Sequence, residues 1–490
     1  MLAGLLDSVL LNYGCAELID LKLSKRANNM TLDHTDAGEL ENLSASLRGP
    51  LIYPSDDNYD EARRVYNAMN DRRPLLIVQA TDIADVIATV NFAREQGLDL
   101  AIRGGGHSVP GFGTCDDGLV LDLGRMKGIR VDSAGETVRA EGGCTLGELN
   151  HATYPLGVTV PAGIVSTTGI AGLTLGGGMG YLSRAYGLSC DNLISADVVT
   201  ADGRLVTCDA ERDPDLFWAI RGGGGNFGVV TSFEYRTHPV SEILGGPTFY
   251  RIDSETLRNY TKLMAEAPEE LTVIFAITRG LPVPFLPEEW HGQPVMATVA
   301  CWCGPPEKDA EITATVAELG DVLGQAHWRM PFPEINTLFD ELLPHGLQHY
   351  WKANIGREIS EEALAVHMEH GPKVPNIESG PFFFPINGAC HRVSVSDTAF
   401  AHRDAAFSLV LSGSWKDPAD NEKNTAWVRN YYDALRPHSE EGGYINFMSA
   451  DDQDRAPSNY GENYRRLREI KAQYDPTNLF RLNQNVLPAD

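Results

Sequence analysis

Glycine is concentrated in three loops, and this distribution is the clearest chemical signal in the chain. Glycine tolerates positive φ angles and lets the backbone approach a ligand closely, and successive N–H groups in such loops form nests that bind anions. One glycine-rich loop alone can be no more than a turn. Three of them between residues 104 and 228 indicate a bound cofactor that carries phosphate groups. The clusters are Gly104, Gly105, Gly106, Gly111 and Gly113; Gly169, Gly172, Gly176, Gly177, Gly178 and Gly180; and Gly222, Gly223, Gly224, Gly225 and Gly228.

The third cluster matches the GxGxxG pattern of dinucleotide-binding Rossmann folds, but its surroundings do not. That fingerprint requires a strand before the loop and a helix after it. Here residues 214–220 have a helical pattern and residues 229–234 have a strand pattern. The predicted order is helix, loop, strand, which argues against a nicotinamide dinucleotide on this loop.

Several further motifs accompany the glycines in a fixed order. They are Arg103-Gly-Gly-Gly-His107-Ser108, Gly118-Leu-Val-Leu-Asp-Leu123, Pro161-Ala-Gly163, Tyr186-Gly-Leu188, Asp191-Asn192, Asp215-Leu-Phe-Trp-Ala219, Asn463-Tyr464, Tyr474-Asp-Pro476 and Asn478-Leu-Phe480. Together they resemble the FAD-linked oxidases of the berberine-bridge-enzyme-like family, within the vanillyl-alcohol oxidase/p-cresol methylhydroxylase (PCMH) superfamily. The resemblance covers residues 50–240 and 440–490 closely and the middle of the chain weakly.

The resemblance implies that FAD is bound covalently through His107. In the family, the histidine at this position is joined to the 8α-methyl carbon of the flavin. Many relatives add a second bond from a cysteine two residues beyond Pro-Ala-Gly, but this chain has Val165 there. A single covalent link is therefore expected. Oxygen reactivity in the family responds to the residue three positions past that site, here Thr168, and the resemblance implies that its small side chain leaves room beside the flavin and favours reaction with O2.

The remaining cofactor-binding residues are also implied by the resemblance. We expect them in the three glycine loops and in the C-terminal segment. They are Arg103, Gly104, Gly105, Gly106, Ser108, Gly111, Gly169, Gly172, Gly176, Gly177, Asn226, Gly228, Val229 and Asn463.

The catalytic base is less well defined than the attachment site. Hydride removal from an alcohol or amine carbon needs a group that accepts the O–H or N–H proton. Relatives often carry a tyrosine where this chain has Asn459, so Tyr460, one residue displaced, and Tyr464 are candidates. His391 is a third candidate, and Tyr350 and Lys352 also lie among apolar runs. An amine substrate of low enough pKa would need no dedicated base.

The elements that position these residues follow from hydrophobic periodicity and helix caps. Strands are predicted at 75–78, 98–102 and 119–123, with a helix from about 81 to 97 between the first two. A second helix should span 145–156, because Thr145 and Glu148 form a capping-box pattern. Longer alternating strands follow at 271–277, 295–303 and 407–414, with helices at 308–323 and 421–435.

These elements predict an α+β fold, and the resemblance implies that it contains a PCMH-type FAD-binding domain of two subdomains. A substrate domain should accompany it, built on an antiparallel sheet backed by helices. The predicted division is an N-terminal extension at 1–45, the FAD-binding domain at 46–240, the substrate domain at 241–440, and a segment at 441–490 that returns to the FAD domain.

The charge balance limits the partners. The chain has 490 residues, with 40 basic and 67 acidic residues and a net charge of −27. Such an acidic surface disfavours nucleic acid and anionic membranes. No cysteine and histidine set has zinc-site spacing, so no metal is expected. Without a basic leader or a long apolar stretch, we predict a cytoplasmic monomer or homodimer.

These observations predict an FAD-dependent oxidase that transfers a hydride from a small organic substrate to flavin N5 and passes the electrons to O2, which yields H2O2. Two alternatives remain open. One is a tailoring enzyme of secondary metabolism that performs an oxidative cyclisation or rearrangement. The other is a binding protein that keeps a flavin fold without redox activity.

Overall fold

A computed structural model describes residues 37–490, so most of the predicted N-terminal extension lies outside the described residues. The described end of it, Ala37–Ser46, forms a helix. Leu40 and Leu43 of this helix are buried against the same core as Val86 and Val90. Residues 37–45 are therefore part of the folded core around the first sheet, which the polar sequence pattern did not predict.

Seventeen strands in the described part of the chain form three sheets, numbered here in chain order. The first two sheets contain β1 (Leu51–Ile52), β2 (Leu76–Gln79), β3 (Leu100–Arg103), β4 (Leu119–Asp122), β5 (Ile129–Val131), β6 (Thr137–Glu141), β7 (Leu193–Val199), β8 (Leu205–Asp209) and β9 (Val229–Arg236). The third contains β10 (Glu242–Tyr250), β11 (Leu271–Arg279), β12 (Pro294–Trp302), β13 (Val322–Gln325), β14 (Trp328–Pro331), β15 (Gln348–Gly356), β16 (Gly380–Pro385) and β17 (Phe407–Trp415).

The α-helices described in residues 37–490 lie between these strands and after them. Besides Ala37–Ser46 they are Tyr59–Ala62, Ile83–Gln96, Leu146–Thr153, Ile170–Leu175, Ser183–Tyr186, Pro214–Ala219, Ser254–Glu266, Asp309–Ala317, Phe332–Ile335, Glu361–His370, Asn421–Leu435, Ala456–Tyr460 and Tyr464–Tyr474. None of these helices is both long and apolar enough to cross a membrane.

The first sheet carries the histidine loop at its edge. Its strand order is β1-β2-β4-β3, with β4 parallel to both β2 and β3. Strands buried on both faces read as continuous apolar runs, and β2 and β4 follow this rule. The helix Ile83–Gln96 begins at Asp82, whose side chain accepts a hydrogen bond from Asp85 N, and ends at Gly97 with φ 65°. The loop with His107 follows directly from β3.

The second sheet carries the other two glycine loops. It has five antiparallel strands in the order β5-β6-β9-β7-β8. The predicted capping box is present, because Thr145 accepts from the backbone of Glu148 while the Glu148 carboxylate accepts from the backbone of Thr145. The helix it starts ends at Thr153, shorter than the predicted 145–156.

The third sheet is antiparallel and has eight strands, in the order β13-β10-β12-β11-β16-β17-β15 with β14 paired to β10. The predicted strands at 271–277, 295–303 and 407–414 are confirmed as β11, β12 and β17. The predicted helix 308–323 was too long: it ends at Ala317, and residues 322–325 pair with β10 as the edge strand β13.

Helices cover one face of the third sheet. Leu364, Val428 and Tyr431 of the helices Glu361–His370 and Asn421–Leu435 pack against Phe383 and Leu411 of the strands. The side chains that alternate with these point to the opposite face. The expected α+β fold with an antiparallel sheet backed by helices is confirmed, whereas the domain boundaries at 240 and 440 stay a prediction.

The C-terminal segment returns to the glycine loops of the second sheet. The ammonium group of Lys471 donates to the Asn226 backbone oxygen at 2.8 Å and to the Phe480 backbone oxygen at 3.0 Å. It also contacts the Asp475 carboxylate at 2.7 Å, and both charged side chains are fully buried. This ion pair joins the end of the chain to the loop that holds Asn226.

Candidate functional site

A cavity lies between the glycine loops and the third sheet. Its volume is about 330 Å3. Its walls come from three sources: the loops that follow β3, precede the helix Ile170–Leu175 and precede β9; the inner face of the third sheet; and the C-terminal segment. Of the residues predicted to bind the cofactor, those that line it are Arg103, Gly104, Gly105, Gly106, His107, Ser108, Val165, Thr168, Gly169, Gly172 and Gly228.

The glycines of this wall divide into two kinds. A Cβ at Gly105 would lie 2.4 Å from the backbone nitrogen of Gly169, so these glycines let two loops pack directly on each other. A Cβ at Gly172 or Gly225 would meet no atom within 4 Å. Both of these residues line the cavity, so their missing side chains leave space there and expose backbone to a ligand. This geometry fits a cofactor held by backbone groups.

The imidazole of His107 is held by contacts on several sides. Its Nε2 lies 2.9 Å from the Thr167 hydroxyl. Its ring stacks on Tyr66 with centroids 3.8 Å apart, and His345 contacts it edge-on at 5.5 Å. Burial, with His345 and His349 nearby, lowers the pKa of His107 to about 3. The ring is therefore neutral at physiological pH, which is the form that can act as a nucleophile.

Tyr66 occupies the centre of an aromatic stack that the sequence did not reveal. Its other face stacks on His349 of β15, with centroids 4.3 Å apart. His349 Nδ1 lies 2.8 Å from the Ser414 hydroxyl of the neighbouring strand β17. Through this stack the third sheet fixes the position of the His107 ring.

Some polar side chains of the cavity wall have buried atoms without hydrogen-bond partners. Both amide atoms of Gln484 and Nε1 of Trp351 lack hydrogen bonds within residues 37–490. Buried polar atoms in proteins nearly always have a partner. Because Gln484 and Trp351 line the cavity, these atoms are available to a bound ligand, at the C-terminal segment and on the third sheet. No sequence pattern pointed to either residue.

Arg103 is predicted to bind the cofactor, but its charge is already paired. Its Nη2 contacts the Asp122 carboxylate at 2.9 Å and the Ala62 backbone oxygen at 2.6 Å. Its aliphatic part lies under Gly106 and Gly113. Arg103 therefore shapes the histidine loop from below.

Six of the residues predicted to bind the cofactor are not part of the cavity wall: Gly111, Gly176, Gly177, Asn226, Val229 and Asn463. The glycines among them allow close packing of the loops, because Gly111 packs against Asn70, Gly176 against Asn446 and Gly177 against Phe400.

The two asparagines of this group tie segments together. The Asn226 side chain donates to Gly223 and Gln484 backbone oxygens and accepts from Val486 N. The Asn463 amide donates to the Val395 and Thr398 backbone oxygens. Both side chains therefore support the cavity from behind.

The three predicted catalytic residues also lie away from the cavity wall. The Tyr460 hydroxyl contacts the backbone oxygens of Gly223 and Gln484 in the core, and burial raises its pKa. Tyr464 stacks behind Tyr460 at 6.3 Å. His391 Nε2 lies 2.9 Å from the Ala405 backbone oxygen. None of the three is among the residues that line the cavity. Local sequence position did not reveal that the core would satisfy their polar atoms.

Tyr350 and Lys352 are excluded from the cavity by strand alternation. They lie on the helix-covered face of β15, where Lys352 contacts Asp451 and Asp452 at 2.8 Å each.

The prediction for the third glycine loop is confirmed: the helix Pro214–Ala219 precedes it and β9 follows it.

Comparison with known proteins agrees with this geometry. A family model described as FAD binding domain matches residues 74–209, and one described as berberine and berberine like matches residues 443–487. The FAD-linked oxidoreductase YgaK of Bacillus subtilis is 31% identical over 90% of this chain and 97% of its own length. The (R)-6-hydroxynicotine oxidase of Paenarthrobacter nicotinovorans is 30% identical over 90% of this chain and 97% of its own.

A solved structure shows the same fold. The crystal structure of 6-hydroxy-D-nicotine oxidase from Arthrobacter nicotinovorans superposes with a TM-score of 0.79, at 26% identity, over 91% of this chain and 99% of that chain. The 30–31% identity to YgaK and to the nicotine oxidase, over nearly their full lengths, establishes common ancestry. The chain belongs to the berberine-bridge-enzyme-like family of FAD-linked oxidoreductases.

Proposed function

We propose that this enzyme is an oxidase that carries FAD on one covalent bond to His107 and oxidises an amine or alcohol carbon of a small organic substrate. Bound FAD would supply the hydride acceptor. Per turnover the substrate loses a hydride and a proton, and O2 takes up two electrons and two protons to give H2O2. The observation that carries the proposal is a neutral imidazole, fixed by Tyr66 and Thr167, at the wall of a glycine-lined cavity.

The proposal of a single link rests on the composition of the cavity wall. Val165, where many relatives have a cysteine, lines the cavity. The residues found to line it include no cysteine at all. With no cysteine on this wall, the neutral imidazole of His107 is the nucleophile we propose for the flavin ring.

The residues of the cavity wall also determine whether the protein can accept the substrate proton. Among the lining residues that the structure describes there is no carboxylate and no lysine. Tyr66 and Tyr444 are present, but burial raises the pKa of both phenols, so both stay protonated and cannot accept the substrate proton. A neutral amine needs no protein base, because its nitrogen lone pair stabilises the positive charge that develops as the hydride leaves. This favours an amine carbon over an alcohol carbon.

The role of O2 is supported by Thr168, whose small side chain lies on the cavity wall. The test is peroxide release in air, measured with a coupled peroxidase on aromatic amines, aromatic alcohols and saccharides. We expect one H2O2 for each substrate oxidised. Flavin reduction by a substrate without peroxide release in air would instead make the enzyme a dehydrogenase. A product with a new ring would identify a cyclising enzyme.

A further inference from the structure

One face of three adjacent strands forms the end of the cavity. In the register of the sheet, Trp351 of β15 pairs with Ser412 of β17, and Val410 of β17 pairs with Phe382 of β16. Phe384 follows two residues after Phe382. These five side chains share one face, because alternate residues of a strand point the same way. All five line the cavity.

The opposing walls at this end are mainly apolar as well. Phe339, Leu343, Ile164, Met179 and Phe447 line it, and most of them belong to one hydrophobic cluster with the strand residues. Tyr444 lies beside Phe447, and its hydroxyl already contacts Gly178 N and the Asn446 amide. An aromatic box of this kind gains contact area with a flat ring and offers it edge-to-face or stacked neighbours.

Polar groups at this end are few and uncharged. The Ser412 hydroxyl lies 3.3 Å from the Ser414 hydroxyl. The indole Nε1 of Trp351 is buried and has no partner within residues 37–490. The two basic side chains elsewhere on the wall do not change this balance, because Arg103 is paired with Asp122 and burial keeps His107 neutral.

We infer, on the basis of the proposed function, that the substrate is a neutral aromatic molecule with one hydrogen-bond acceptor, and that Trp351 determines specificity by donating its indole N–H to that acceptor. An ionised substrate would lose hydration without gaining a counter-charge. A saccharide would bury several hydroxyl groups where the sheet offers one hydroxyl and one N–H. Each buried polar group left without a partner weakens binding by about tenfold or more.

Binding to the purified holoenzyme tests this inference without turnover. We would measure acetophenone, ethylbenzene, benzoate and cellobiose by isothermal titration calorimetry. Acetophenone should bind most tightly, since it combines the ring with one neutral acceptor. Trp351→Phe keeps an aromatic ring and removes the N–H, so it should weaken acetophenone about tenfold and leave ethylbenzene unchanged.

The matched control is Trp427→Phe, because Trp427 is half-buried in the helix layer and its Nε1 contacts His370. This variant should bind acetophenone as the wild type does. Tighter binding of benzoate or cellobiose, or unaltered acetophenone binding in Trp351→Phe, would overturn the inference. Calorimetry does not depend on flavin chemistry, whereas absence of covalent flavin or of peroxide release would overturn the proposed function alone.

Discussion

The Nε2 atom of His107 and the hydroxyl oxygen of Thr167 lie 2.9 Å apart. A neutral imidazole carries one N–H, and its position is set by the partner of that nitrogen. In the tautomer whose Nε2–H donates to Thr167, the lone pair of Nδ1 is free to attack the flavin methyl carbon. On the proposed function, Thr167 would therefore orient His107 for attachment.

Replacing Thr167 with valine should slow this attachment. Thr167→Val keeps the volume of the side chain and removes one hydrogen bond, which contributes about 1 kcal/mol. We expect roughly a fivefold slower covalent attachment, with yellow flavin still bound reversibly. The measurement is the acid-precipitable flavin fraction over time after FAD is added to flavin-depleted protein. Thr89→Val is the control, because Thr89 is a buried threonine that bonds to Asp85 O in another part of the fold. Equal rates in Thr167→Val and the wild type would contradict this role.

Two glycine substitutions should distinguish glycines that leave space for the cofactor from glycines that let two loops pack together. Gly172→Val places a side chain in the open cavity, so we expect a stable fold that no longer retains FAD. Gly105→Ala forces a carbon to within 2.4 Å of Gly169 N, so it should destabilise the flavin-free protein by about 1–3 kcal/mol. Urea unfolding and flavin absorbance provide both readouts. The assignment of the cavity would be wrong if Gly172→Val retained FAD at the wild-type ratio.

The buried ion pair of the C-terminal helix should contribute more to the free energy of unfolding than an exposed pair on the same helix. Lys471→Met leaves the Asp475 carboxylate buried without its partner, which should cost about 3–5 kcal/mol. Arg465 and Glu469 form an i,i+4 pair on the exposed side of the same helix. Arg465→Met should change the free energy of unfolding by less than about 1 kcal/mol. Similar losses in both variants would show that the internal pair does not join the segment to the core.

Acid should destabilise the protein through buried neutral histidines. Burial lowers the pKa of His367 to about 3, whereas an unfolded histidine titrates near 6.5. Between these values the unfolded state binds more protons, so the stability is complete above about pH 6.5 and falls as the pH drops toward 3. His367→Gln should reduce the slope of unfolding free energy between pH 6 and 5 by about 1.4 kcal/mol per pH unit. An unchanged slope would contradict a buried neutral His367.

The sequence predicted the histidine loop, the glycine wall and most strands, because these depend on local spacing. It did not predict the stack of His107, Tyr66 and His349, which depends on where β15 meets the first sheet. Periodicity shows which residues of a strand share a face but not which face meets a ligand. For this reason Tyr350 and Lys352 were candidates, whereas Trp351 between them lines the cavity.

The predicted base at Tyr460 illustrates a second limit of local patterns. A tyrosine near a familiar motif is indistinguishable in sequence from a core tyrosine. Its hydroxyl is satisfied here by two backbone oxygens, one from the third glycine loop and one from the C-terminal segment. Such satisfaction depends on contacts between distant segments, which only the fold reveals.

The most direct test of the account is the mass of the peptide that contains His107 after acid denaturation and proteolysis. We predict a mass increase by one FAD on that peptide in the wild type, no flavin on any other peptide, and none on any peptide of His107→Ala. An unmodified His107 peptide from yellow wild-type protein, or flavin on another residue, would contradict the account.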